Sequence, residues 1–195
     1  MKHIIKQYLA RAILVVLSTA PMLVQAESNN ASGGTPLNVT ARLNLSVVIP
    51  RFLFFRVGTV GTGNIDTITF SPTAAEVGDS SAIAGAGGDA GAGGANVGVR
   101  SNAGQITITP ANDGGVGGLG TGAGNISLDE ITVTSDDGAL PTPTLTDAGG
   151  APVNVTLTGG NVTNRQAIWT YSYDNTTTPE PGTYDAQITY TAASL

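Results

Sequence analysis

Cysteine is absent from this 195-residue chain, so no disulfide can staple a small core and side-chain burial has to hold the fold. Histidine occurs once, as His3, and lysine only as Lys2 and Lys6. From Glu27 onward the chain has no imidazole, thiol or ammonium side chain. That removes Ser-His-Asp triads, Cys-His pairs, Ser-Lys dyads, Schiff-base lysines and the usual zinc sites. Carboxylates remain, but Asp129 with Glu130 and Asp136 with Asp137 are sequence neighbours, which on a strand point to opposite faces and cannot flank one scissile bond. Calcium needs only oxygen ligands, which Asp113, Asp129 and Asp147 could supply, yet no loop of alternating acids gathers them. The expectation is a protein that is not an enzyme, with no catalytic residue, no cofactor and no metal ligand.

Basic charge is nearly as scarce. From Glu27 the chain has five arginines, Arg42, Arg51, Arg56, Arg100 and Arg165, against fourteen acidic residues, a formal charge of −9. Scattered arginines in so acidic a chain form no stripe for a phosphate backbone, so nucleic acid is excluded as an expected partner. Long hydrophobic runs are missing too. The one sustained apolar stretch, residues 12–24, follows Lys2, Lys6 and Arg11 and ends in Val24-Gln25-Ala26. It is shorter than the roughly 20 residues a spanning helix needs, and its flanks read as a secretory signal peptide over residues 1–26. The chain is accordingly expected in the periplasm, at the cell surface or outside the cell, without membrane insertion.

What the sequence does contain is a period of two. After a polar leader at 27–36, the odd positions Leu37, Val39, Ala41, Leu43, Leu45, Val47 and Ile49 are all apolar, while Asn38, Thr40, Arg42, Asn44 and Ser46 separate them. This predicts a strand with one buried face, roughly 43 Å long at about 3.3 Å per residue, well beyond the usual length. Beyond Pro50, the run Phe52-Leu53-Phe54-Phe55 with Val57 predicts a strand buried on both faces. Shorter strands are expected over 65–70, 97–101, 105–109, 126–134, 142–146, 153–158, 167–173 and 183–192, each bounded by Gly, Pro, Asn or Asp. No helical stripe follows residue 26. The pattern predicts an all-β protein, a single domain over 37–195 built as an antiparallel β-sandwich of about 8–10 short strands, with a closed barrel as the alternative.

Two glycine-rich segments, AGAGGDAGAGGAN at 84–96 and GGVGGLGTGAGN at 114–125, lack apolar content and are expected to be mobile loops. Trp169, Tyr171 and Tyr173 share one face of a strand. They are either a platform for a sugar ring or part of the core, and because the opposite face carries Ile168, Thr170 and Ser172 the aromatic face is the more apolar one, which favours the core.

A leader, the alternating segment LNVTARLNLSVVI, the lack of cysteine, and the final segment GTYDAQITYTAASL together resemble bacterial pilus subunits. The nearest likeness is to the cysteine-free pilins of the alternate chaperone-usher, colonisation-factor class. The resemblance covers the two ends of the chain, and the glycine-rich insertions and the RFLFFRVG run depart from it. It implies an immunoglobulin-like sandwich lacking a strand, completed by the N-terminal segment of the next subunit through β-augmentation. Leu37, Val39, Ala41, Leu43, Leu45, Val47 and Ile49 are then the assembly residues, and the partners are like subunits or a periplasmic chaperone, with surface glycans as a further ligand class. Folding of the same segment as an ordinary first strand in cis stays equally open, and with it a monomeric extracellular carbohydrate-binding or envelope module.

Overall fold

A computed structural model describes residues 27–61, 63–113, 117–120 and 125–195. The expected signal peptide at 1–26 lies outside these residues, as does most of the second glycine-rich segment. The chain divides into two units, one ending at Ile49 and one spanning Pro50–Leu195.

The first unit, over residues 27–49, contains no strand. Its polar contacts are local: the Arg42 guanidinium pairs with Glu27 at 2.7 and 3.1 Å, and the Asn29 amide donates to the Thr40 carbonyl at 2.8 Å. Here the structure departs from the predicted strand at 37–49 and from a domain beginning at Leu37. Alternation fits a segment for a sheet, but a strand exists only when a neighbouring edge supplies its hydrogen bonds.

The second unit is built almost entirely of strands: β1 (Leu53–Val57), β2 (Ile68–Thr69), β3 (Ile83–Ala84), β4 (Ala86–Gly87), β5 (Gly94–Ser101), β6 (Ile106–Asn112), β7 (Ile131–Ser135), β8 (Val153–Val155), β9 (Thr163–Tyr173) and β10 (Ile188–Ser194). All pairings are antiparallel. The larger sheet runs β1-β5-β9, with β7 along the far edge of β9 and β3 continuing the line of β5. The smaller sheet runs β10-β6-β8, and β2 pairs with β4 apart from both. The two main sheets face each other across one core, which makes the unit a β-sandwich.

Side-chain parity explains the packing. On β5, Val97 and Val99 point inward; on β9, Ala167, Trp169, Tyr171 and Tyr173 do so; from the other sheet come Ile106, Ile108 and Val155. Leu128, Leu140 and Leu145 fill the ends from loops. The expected 126–134 strand is broken by a 3-10 turn at Leu128–Glu130, capped by the Ser127 hydroxyl, and the strand proper starts at Ile131. Residues 142–146 form no strand. Leu145 and Pro143 are buried there, and the Thr142 hydroxyl donates to the Val133 carbonyl at 2.9 Å, so the segment serves the core as a packed loop.

The segment 84–96 is not the loose loop its composition predicts. It contains β4 and the start of β5 and folds back on β9: the Gly85 N–H donates to the Tyr171 carbonyl and the Tyr171 N–H to the Gly93 carbonyl, both at 3.1 Å. A Cβ on Gly93 would stand 2.6 Å from the Cα of Gly85, and one on Gly85 would stand 3.0 Å from the Tyr171 oxygen. Glycine here permits backbones to touch, a use that hydropathy cannot reveal.

Candidate functional site

The two edges where the sandwich opens, β1 and β10, define the site. The bonds that flank the β10 ladder, from the Asp113 N–H to the Gln187 carbonyl and from the Leu195 N–H to the Gln105 carbonyl, fix its phase. Odd-numbered residues of β10 bond to β6, so Ile188, Tyr190, Ala192 and Ser194 aim their N–H and C=O groups at the free edge. The same argument holds for β1. The Gly58 N–H donates to the Asn96 carbonyl and the Asn102 N–H to the Phe52 carbonyl, which leaves Leu53, Phe55 and Val57 facing outward along the other edge. Among the described residues no strand pairs with either edge.

The side chains at these positions point toward the core and are incompletely covered. Ile188, Tyr190 and Ala192 are only half-buried, although their neighbours Ile108 and Pro110 on β6 are buried. Phe55 and Val57 are half-buried and Leu53 is exposed, although Val97 and Val99 on β5 are buried. β1 and β10 approach within 8 Å between Cα atoms without forming a ladder. The result is a seam carrying unused backbone donors and acceptors and a row of partly wet apolar side chains. It also corrects the reading of 52–57 as buried on both faces, for Phe52 and Phe54 are exposed and β1 is an edge.

Tyr190 ties the seam to the interior. Its ring meets Trp169 edge-on at 5.3 Å, and its hydroxyl lies 3.1 Å from that of Tyr171. Burial pushes both phenols above the usual tyrosine range, so both stay protonated at neutral pH.

The seven residues predicted for assembly, Leu37, Val39, Ala41, Leu43, Leu45, Val47 and Ile49, are all exposed, Leu45 at 86%. Trp169, Tyr171 and Tyr173 lie in the core, Trp169 at 0% exposure with its indole N–H donating to the Leu140 carbonyl at 3.2 Å. These three therefore form no sugar platform. They occupy the inward phase of β9, and the outward phase carries the polar partners.

The paired acids are divided between separate turns. Glu130 is buried and accepts from the backbone N–H and the hydroxyl of Thr176, while Asp129 turns to Ser127. Asp136 accepts from the Ile168 N–H at 2.8 Å and Asp137 from the Ala139 N–H at 2.9 Å. Asp147 accepts from the Leu128 N–H at 2.7 Å, and Asp113 from the hydroxyl of Thr189. Among the described residues no group of three or more acidic or histidine side chains is placed to hold a metal. Which strands flank the seam escaped sequence reasoning, because free edges depend on which strands pair; the resemblance implied a sandwich short of one strand but pointed to no particular edge.

Comparison with known protein families, with curated proteins and with solved structures found no match for this chain.

Proposed function

We propose that this chain is an exported subunit of a surface fibre or adhesive layer, and that copies join when residues 37–49 of one enter the β1–β10 seam of the next. The observation that carries this reading is a complementary pair of deficits. One stretch of chain alternates apolar and polar residues yet forms no strand, and one seam has free backbone edges and half-covered apolar side chains. An incoming strand would take hydrogen bonds from the edges and insert alternate side chains toward the core, the physics of strand addition. Burying several Leu, Val and Ile side chains at about 1.5–3 kcal/mol each, together with the new backbone hydrogen bonds, works against the cost of ordering the segment. In this proposal the unit is an immunoglobulin-like sandwich one strand short, and a periplasmic chaperone is the natural temporary occupant of the same seam.

The test compares the chain starting at Glu27 with one starting at Pro50 on denaturing gels, heated and unheated. The expected result is a heat-sensitive ladder from the longer chain and monomer from the shorter. A longer chain that runs only as monomer would overturn the proposal.

A further inference from the structure

The outer face of the larger sheet, on the side away from the core, carries a second arrangement that assembly through the seam does not use. Across β1, β5 and β9 the outward residues fall in rows: Phe54, Arg100 and Asn164 in one, Arg56, Gly98 and Gln166 in the next, then Asn96 beside Ile168. A concavity of about 200 Å³ lies here, lined by Arg56, Asn96, Gln166, Ile168 and, from the end of β7, Asp136.

Three features of this face are unexplained by folding. First, Arg42 pairs with Glu27, Arg51 donates to the Ala103 carbonyl, and Arg165 donates to the carbonyls of Thr156 and Leu157. Arg56 and Arg100 alone have no hydrogen-bond or ion-pair partner among the described residues. Second, those two are diagonal neighbours across the β1–β5 pair, within mutual reach and repelling each other. A chain with a formal charge of −9 from Glu27 onward has carboxylates enough to neutralise them, yet no described carboxylate forms an ion pair with either, and Asp136, which shares the concavity, accepts instead from the Ile168 N–H. Third, Gly98 stands mid-strand between them with no positive φ, and a Cβ there would meet nothing closer than 4.0 Å. Glycine inside a strand costs stability, and here the fold does not require it; Gly98 is itself buried, and a larger side chain there would crowd Gln166, whose Cγ would lie 4.0 Å from a Cβ.

We infer that this face is a binding site for a saccharide bearing a carboxylate, a uronic-acid type of sugar. The paired guanidiniums supply the charge and the forked donors that carboxylates accept. The Gln166 amide has no partner of its own, and the Asn96 amide nitrogen is held by Asp89 at 3.1 Å, which leaves its oxygen for a sugar hydroxyl. Asp136 accepts from hydroxyls at the far end, and the exposed Phe54 and Ile168 offer apolar surface to the C–H face of a ring. An inorganic anion would use only the arginines.

The test is an NMR titration of the isotope-labelled chain starting at Glu27 with trigalacturonate, with maltotriose and with a glutamate tripeptide, each up to about 10 mM to reach a millimolar Kd. Trigalacturonate is expected to shift the Gly98 amide and the side-chain amides of Gln166 and Asn96, with affinity falling as salt is raised. Arg56→Ala and Arg100→Ala are each expected to weaken it about tenfold or more, the scale of a lost charge-assisted pair. Gly98→Val is expected to abolish binding without lowering the melting temperature. Equal shifts from maltotriose would overturn the role of the arginines, equal shifts from the peptide would overturn the saccharide, and no shift from trigalacturonate would overturn the site.

Discussion

Placing a carboxylate at an odd position of the 37–49 segment, and separately at the adjacent even position, separates insertion from mere adhesion of a sticky tail. Leu45→Asp removes a side chain that the seam would bury, a loss of about 1.5–3 kcal/mol, and asks the seam to take a charge in its place, which adds at least about 2 kcal/mol. At about 1.4 kcal/mol per tenfold, subunit association should weaken roughly a thousandfold. Ser46→Asp points the same charge toward water once the segment is a strand, so its effect should stay within about 0.5 kcal/mol, roughly twofold. Leu45 is 86% exposed and belongs to the unit ending at Ile49, so neither change should alter the melting of the sandwich. Sedimentation equilibrium across a dilution series measures the association, and circular dichroism checks the fold. Equal effects at the two positions would refute the strand geometry; unfolding of the Leu45→Asp monomer would show instead that the segment folds in cis.

Two further predictions concern the body of the sandwich. Asn175 is fully buried with φ of +56°, its amide donating to the Glu76 carbonyl at 2.6 Å and its side-chain oxygen accepting from the Gly78 N–H at 2.9 Å. Asn175→Ala leaves both groups unpaired in a backbone conformation alanine resists, and should cost at least about 2 kcal/mol in urea denaturation, with loosening of residues 73–81 seen by hydrogen exchange. Tyr171 and Tyr190 are protonated phenols raised above their unfolded values, chiefly by burial. Their contribution to stability is complete below about pH 10 and declines as pH rises further, so alkaline melting should coincide with the appearance of phenolate absorbance. Phenolate forming at Tyr171 or Tyr190 while the fold stays intact would refute that coupling.

Much of the sandwich was legible because period two is local. The inward and outward faces of β9 and β10 follow from single-residue alternation, and the interior position of Trp169 from the polarity of Thr170 and Ser172 beside it. That neither pair of adjacent acids acts together was readable from their alternation, but the burial of Glu130 against Thr176 was not, because it depends on a segment 46 residues away. Where expectation and structure part, the cause is contact between distant segments. The glycines at 85 and 93 read as flexibility when they are points of backbone contact, and 142–146 reads as a strand when it is a packed loop.

Composition by itself determined that the chain from Glu27 has no histidine, cysteine or lysine, that it is acidic, and that it is built of strands; each follows from residue type or nearest-neighbour pattern. Which edges stay free, which side chains remain half-covered, and which two arginines are left without a partner were decided only by the tertiary structure. Those properties belong to pairings between residues far apart in the chain, and no local period encodes them.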